Sequence, residues 1–177
     1  MDDIVKAALQ KWPNVPHCYG WLALDARGQW FLRDEPTQRA GDFPHIKGSR
    51  IEHPRLLEFI QRNYDHDADG SWFFQNGPQR VYVELEAAPW IWRLDIVADA
   101  ARLISHTGVA TSAGDPVVDE GGRLFVESPL GLGIVHTQDM HLAAGLVERA
   151  TWSPSEMPFA RMPARFGYRL KPAPSGG

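Results

Sequence analysis

A short internal repeat constrains this chain more than any other feature. It consists of Asp, two residues, Gly, one residue, a bulky apolar residue, Phe and a further apolar residue. It occurs as Asp25-Ala-Arg-Gly28-Gln-Trp30-Phe31-Leu32, as Asp67-Ala-Asp-Gly70-Ser-Trp72-Phe73-Phe74, and as Asp119-Glu-Gly-Gly122-Arg-Leu124-Phe125-Val126. Each copy reads as a hairpin corner. Asp can bond the amides of its own turn, Gly permits positive φ, and aromatic or branched residues then suit a pleated surface. A chain with three such corners is built mainly from short β strands.

Hydrophobic patterning places those strands at 19–24, 30–33, 72–75, 81–86, 90–97, 102–111, 124–127 and 132–136. The run 81–86 alternates cleanly. It sets Val81, Val83 and Leu85 on one face and Tyr82, Glu84 and Glu86 on the other, which predicts one core face and one wet or functional face. Trp90 and Trp92 share a face opposite Ile91, which predicts burial at an interdomain contact.

Three helices are expected. One covers 3–12 with Ile4, Val5, Ala8, Leu9 and Trp12 in one stripe docked on the first sheet. One runs from Pro54 to about 64, with Pro at its first position. One follows Thr137 as N-cap. The fold class is therefore α+β, because nothing alternates strand and helix regularly enough for a parallel sheet. The expected architecture is two small repeated antiparallel β units, each a hairpin plus a helix, with a Pro-rich C-terminal tail. The expected boundaries are 1–66, 67–150 and 151–177.

With 177 residues, 44% hydrophobic and 23% charged, disordered and membrane-embedded classes are disfavoured. No apolar stretch approaches the roughly 20 residues of a membrane span, and Met1-Asp2-Asp3 is acidic where a signal peptide would be basic. Cys18 is the sole cysteine, so no intramolecular disulfide forms and a reducing compartment, the cytoplasm, is expected. A net charge of −4 argues against nucleic acid as a partner. The one basic stretch is the tail, where Arg161, Arg165, Arg169 and Lys171 face only Glu156; it reads as a solvated, Pro-rich arm.

Two segments suggest a family: Gly70-Ser-Trp72-Phe73-Phe74, and Arg80-Val-Tyr82-Val-Glu84-Leu-Glu86-Ala-Ala-Pro89-Trp90, preceded by the Gly28-Gln-Trp30-Phe31 corner. Over about residues 20 to 100 the chain resembles a widespread proteobacterial family of unknown function, the 1285-type domain family. The resemblance implies a duplicated core of two small β domains, the second pleckstrin-homology-like, and a cleft between them that binds a ligand in signalling. Position by position it assigns the family's basic residue to Arg80, its strand acid to Glu86 and its Pro-aromatic pair to Pro89-Trp90. Gln79 and Ala87 stand where the family carries acids, so two carboxylates of that site are missing.

Other chemistries find less support. Asp65-His-Asp67-Ala-Asp69-Gly70 reproduces the first half of a calcium loop, but Asn76 stands where the bidentate Glu belongs. The histidines His17, His45, His53, His66, His106, His136 and His141, with Cys18, show no zinc spacing. Gly131-Leu-Gly133 lacks a third glycine for a dinucleotide loop, and no nucleophile elbow is present. No catalytic residue, metal site or cofactor is assigned, and the chain is not read as an enzyme.

The expected function is a ligand-binding or interaction module in bacterial signalling or regulation. The site is drawn from Arg80, Tyr82, Glu84, Glu86, Trp30, Trp72 and Trp90. Arg80 supplies a fork for a carboxylate or phosphate, Tyr82 an amphipathic contact, and Glu84 or Glu86 an acceptor or Arg80's own partner. The partner is then a small molecule or a protein. The alternatives are an enzyme acting on an acidic or phosphorylated metabolite, and an assembly factor docking through its tail.

Overall fold

The computed structural model describes residues 1–176. They form two compact units. The first contains Met1–Asp25, Gln29–Glu86 and the stretch from Tyr168 onward, and the second contains Ala26–Gly28 and Ala87–Gly167. The division therefore falls at residue 86. The expected boundary at 66 would cut a ladder, since Tyr64, Asp65 and His66 pair with Phe74, Phe73 and Trp72. The repeat marks the inside of a hairpin and not the start of a domain.

The first unit holds a six-stranded sheet of β1 (Cys18–Leu24), β2 (Trp30–Leu32), β3 (Ser49–Arg50), β4 (Tyr64–His66), β5 (Trp72–Asn76) and β6 (Gln79–Leu85), in the order β3-β2-β1-β6-β5-β4. The second holds β7 (Trp90–Val97), β8 (Ala100–Ser105), β9 (Ala110–Ser112), β10 (Pro116–Val118), β11 (Leu124–Ser128), β12 (Gly131–Val135) and β13 (Ser155–Glu156), in the order β13-β10-β11-β12-β7-β8-β9. Reversed and without β13, the second order is that of the first, strand for strand. In each unit the join of first and last strand is parallel, β1 with β6 and β7 with β12, and the other shared joins are antiparallel. The duplication is thus of mixed sheets, not of antiparallel ones. Hairpin signals identify neighbours in sequence, whereas the parallel join is a distant pairing that no local pattern announces.

The repeat forms three corners of one geometry. Each Asp Oδ1 accepts the amide four residues on: Gln29 at 2.9 Å, Ser71 at 3.0 Å and Arg123 at 2.8 Å. Each Gly takes positive φ, at 79°, 78° and 77° for Gly28, Gly70 and Gly122, where a β-carbon would be strained. A fourth corner splits the single strand expected over 102–111. Ser105 replaces Asp, its Oγ accepting the Val109 amide at 3.0 Å, and Gly108 has φ 86°. Without an acid or an aromatic run behind it, this copy was invisible to the pattern.

The helices are α1 (Asp3–Lys11), α2 (Glu35–Ala40), α3 (Pro54–Arg62), α4 (Met140–Glu148) and α5 (Met162–Phe166). In α1 only Val5 is fully buried, while Ile4 and Trp12 of the expected docking stripe are exposed. The unforeseen α2 starts at Asp34, whose side chain accepts the Thr37 amide. Thr137 is not an N-cap. Thr137–Asp139 is a 3-10 turn capped by His136, whose Nδ1 accepts the Gln138 amide at 3.1 Å. His53 caps α3 in the same way, through the Leu56 amide.

The tail is not a solvated arm. Trp152, Met162 and Tyr168 are buried, β13 joins the second sheet beside β10, and the Leu170 carbonyl accepts the Leu85 amide at 2.8 Å. Its apolar residues recur at too long a spacing for the pattern of one helix or strand, so its burial was hidden.

Candidate functional site

Register puts Tyr82 and Glu84 on one face of the first sheet with Phe73, Ala23 and Phe31. This face is not wet: Tyr82 is 5% and Glu84 6% exposed. Strand β6 lies inside the sheet, and the segment around Gly41–Ile46 and the returning C-terminal stretch supply groups that bond on this side.

Glu84 is engaged by Arg33, not Arg80. Arg33 Nη1 donates to Glu84 Oε2 at 3.2 Å, and its Nη2 donates to the carbonyls of Gly41 at 2.6 Å and Ile46 at 3.0 Å. Burial pushes the Glu84 carboxyl above its ordinary range, while the Arg33 charge pulls it back. Glu86 lies 3.6 Å from Lys47, which also meets Asp25 at 3.0 Å. Both strand acids thus hold architecture together. Arg33 was missed, although its place two residues after Phe31 on an otherwise apolar face was a readable signal of a buried guanidinium.

Trp30, Trp72 and Trp90 are core residues. Trp30 packs edge-on to Tyr64, and Trp72 lies against Tyr64 and His66. Trp90 stacks with Trp92, and their indole N–H groups donate to the carbonyls of Leu130 and Val126, each at 2.9 Å. All four groups belong to the second unit.

Arg80 and Tyr82 remain. The Arg80 guanidinium sits 4.3 Å over the Phe73 ring, with Nη1 3.4 Å from the Tyr82 hydroxyl. That hydroxyl donates to Asp67 Oδ2 at 3.0 Å, and Tyr19 stacks on the Tyr82 ring at 4.7 Å. Desolvation raises the Tyr82 pKa above its ordinary value, so the phenol stays a donor. Beside this group opens a recess of about 310 Å³ lined by Tyr19, Asp67, Asp69, Ser71, Tyr82, Arg169 and the stretch from Ala173. Arg169 is fixed by its main-chain N–H on the Gly70 carbonyl at 2.9 Å and its Nε on the Asp69 carbonyl at 3.2 Å. These two bonds aim the guanidinium at the corner. Among the described residues neither Arg80 nor Arg169 forms an ion pair.

Of the suspected calcium loop, Asp67 spends Oδ1 on turn amides and Oδ2 on Tyr82, and Asp65 Oδ1 accepts the His66 amide. Among the described residues no three His, Cys, Asp or Glu side chains converge as a metal site. No helix among them is long and apolar enough to cross a membrane.

Fold and site together define a duplicated α+β protein with two mixed sheets and an arginine-flanked recess on the first. The chain belongs to the family described as "Protein of unknown function (DUF2946)", which it matches over residues 1–173. No curated protein matches it. Its fold is similar to the crystal structure of a DUF1285 family protein from Silicibacter pomeroyi DSS-3, with TM-score 0.53 and 13% identity over 82% of this chain and 85% of that one. A DUF1285 family protein from Shewanella baltica OS155 gives TM-score 0.48 and 12% identity over 71% and 91%. At such identities the first likeness shows the fold alone and the second supports no argument. The resemblance noted over about residues 20 to 100 thus extends to an architecture that covers 82% of this chain and 85% of the Silicibacter pomeroyi protein.

Proposed function

We propose that this protein is a cytoplasmic, non-enzymatic ligand-binding module of bacterial signalling or regulation, whose ligand is a small molecule carrying a carboxylate or phosphate. The observation that carries this reading is the recess of the first unit, which Arg169 lines with Tyr82 and Asp67 and beside which Arg80 meets the Tyr82 hydroxyl, neither arginine forming an ion pair among the described residues. An unpaired guanidinium held by neutral partners offers its remaining N–H groups as a planar fork for an anion. The Tyr19–Tyr82 stack adds an amphipathic wall. Docking through a free tail is less favoured, because Met162 and Tyr168 are spent inside the chain.

The test is thermal unfolding of the full chain against nucleotides, cyclic and dinucleotide messengers and dicarboxylates, since a ligand of the native state raises the midpoint with the logarithm of its excess. The reading expects a dose-dependent rise with at least one anion, reduced by Arg80→Ala and by Arg169→Ala. A flat panel, or a rise indifferent to both substitutions, overturns it.

A further inference from the structure

The duplication gives every strand of the first sheet a counterpart in the second, and it shows one edge treated differently. In the second unit β10 is covered: β13 runs parallel to it, with Val117 beside Ser155 and Val118 beside Glu156. The Met157 amide donates to the Val118 carbonyl at 3.0 Å, and the Phe159 amide donates to Glu120 Oε2 at 2.8 Å. The counterpart of β10 is β4, by the matching pairs Asp65–Phe73 and Val117–Phe125. Among the described residues no strand lies beyond β4.

The outward groups of β4 can be placed. The Asp67 amide donates to the Ser71 carbonyl at 3.0 Å and the Gln75 amide to the Asn63 carbonyl at 2.8 Å, so the odd-numbered residues face β5. Alternation turns the main chain of His66 outward, as that of Val118 is turned toward β13. An open edge of this kind accepts an added strand unless something guards it. Here Asp65 Oδ1 caps the His66 amide at 2.8 Å, a guard that an incoming carbonyl can displace.

The charges at the two corners differ as well. Asp119 is neutralised by Arg123, Nε to Oδ2 at 2.7 Å, and the strand set beside it carries the acid Glu156. In the first unit Ser71 replaces Arg123. Asp65 and Asp69 are exposed, and among the described residues neither they nor Asp67 forms an ion pair. We infer that the outer edge of β4 binds a short, extended, basic segment of a partner protein. The segment adds parallel to β4 as β13 adds to β10, with a cation where β13 has Ser155, whose partner Val117 is the counterpart of Asp65. This edge adjoins the anion recess, whose lining shares Asp67 and Asp69, and its use by a partner strand goes beyond the function proposed above.

The test uses the full chain, labelled with nitrogen-15, and a synthetic peptide of residues 153–159 carrying Ser155→Lys. The inference expects saturable amide shifts confined to residues 64–69 and affinity at least about tenfold above that of the unchanged peptide. Methylating the peptide nitrogen of Met157, which removes the ladder donor to His66, lowers affinity by about tenfold. In the exposed-site variant Asp65→Asn, which keeps the side-chain oxygen on the His66 amide and loses the charge, the preference for the lysine peptide disappears. Absence of shifts at millimolar peptide, equal binding of the two peptides, or indifference to N-methylation overturns the inference. Arg80→Ala weakens the anion effect and leaves peptide binding unchanged, whereas N-methylation of the peptide lowers peptide binding alone, so either reading can fail without the other.

Discussion

The first unit buries charge in the middle of its sheet, with Arg33 and Glu84 joined on the face that carries Tyr82, whereas the second fills the same architecture with stacked Trp90 and Trp92 and buries acids at a corner, Asp119, and in a 3-10 turn, Asp139. The matching position to Tyr82 is Ile134, since each pairs with the equivalent phenylalanine, Phe73 or Phe125. One unit thus places a hydroxyl where the other places a methyl group. The difference teaches that strand order and corner geometry set the scaffold, while a few inward polar residues decide which copy can present a polar recess.

The largest effect that tests this contrast is expected from Arg33→Ala. It leaves Glu84 buried without its partner and should cost about 3–5 kcal/mol in denaturant unfolding, because a lone buried charge is costlier than the pair. Arg33→Met combined with Glu84→Met should recover most of the loss. A single-variant cost below about 1 kcal/mol would remove the buried pair as the feature that separates the units.

Gly133→Ala probes the second unit, where an added β-carbon would stand 2.2 Å from Trp92 Nε1. Trp92 is wholly buried and cannot yield without breaking its bond to Val126, so a loss of about 1–3 kcal/mol is expected with a changed near-ultraviolet Trp signal. An unchanged midpoint would mean that the indole packing is looser than its geometry implies.

The smallest effect concerns pH. His106 Nδ1 accepts the Ile91 amide, Nε2 is shielded from water, and burial lowers its pKa to about 3. The unfolded chain takes up this proton near pH 6.5 and the folded chain only near 3. The contribution is therefore fully present above 6.5 and lost as pH falls through that window, at no more than about 1.4 kcal/mol per unit. Glu84 acts in the opposite sense, because a raised carboxyl favours the fold at acid pH, so the comparison is between the chain and its His106 variant from pH 6.5 to 5, in which the Glu84 contribution cancels. His106→Asn should flatten the unfolding free energy there; an unaltered slope would sink the assignment.

Most strands were legible because aromatic and branched residues alternate between corners, and three corners announced themselves through Asp and Gly. The Ser105 corner did not, since a hydroxyl does the work of the carboxylate. The wet face assigned to Tyr82 and Glu84 failed for a general reason: alternation tells two faces apart but cannot tell whether a distant segment covers the polar one. Here the covering groups come from the stretch after Arg33 and from residues beyond Tyr168. Around the proposed recess, Arg80 and Tyr82 stand out in the strand pattern, whereas Tyr19 and Arg169, like Arg33 beside Glu84, do not, because each reaches its place through contacts far apart in sequence.

The return of the chain from Tyr168 to the first unit carries a consequence for biosynthesis. Residues Ala87–Gly167 form an insertion within a discontinuous unit. During translation the inserted unit can complete its sheet as soon as its own last strand has left the ribosome. The earlier-made one must wait for Leu170 to meet Leu85 and Lys171 to meet Asp42. The first sheet, whose six strands end at Leu85, is thus made first and sealed last, and a ribosome stalled before Tyr168 would hold it without its C-terminal contacts.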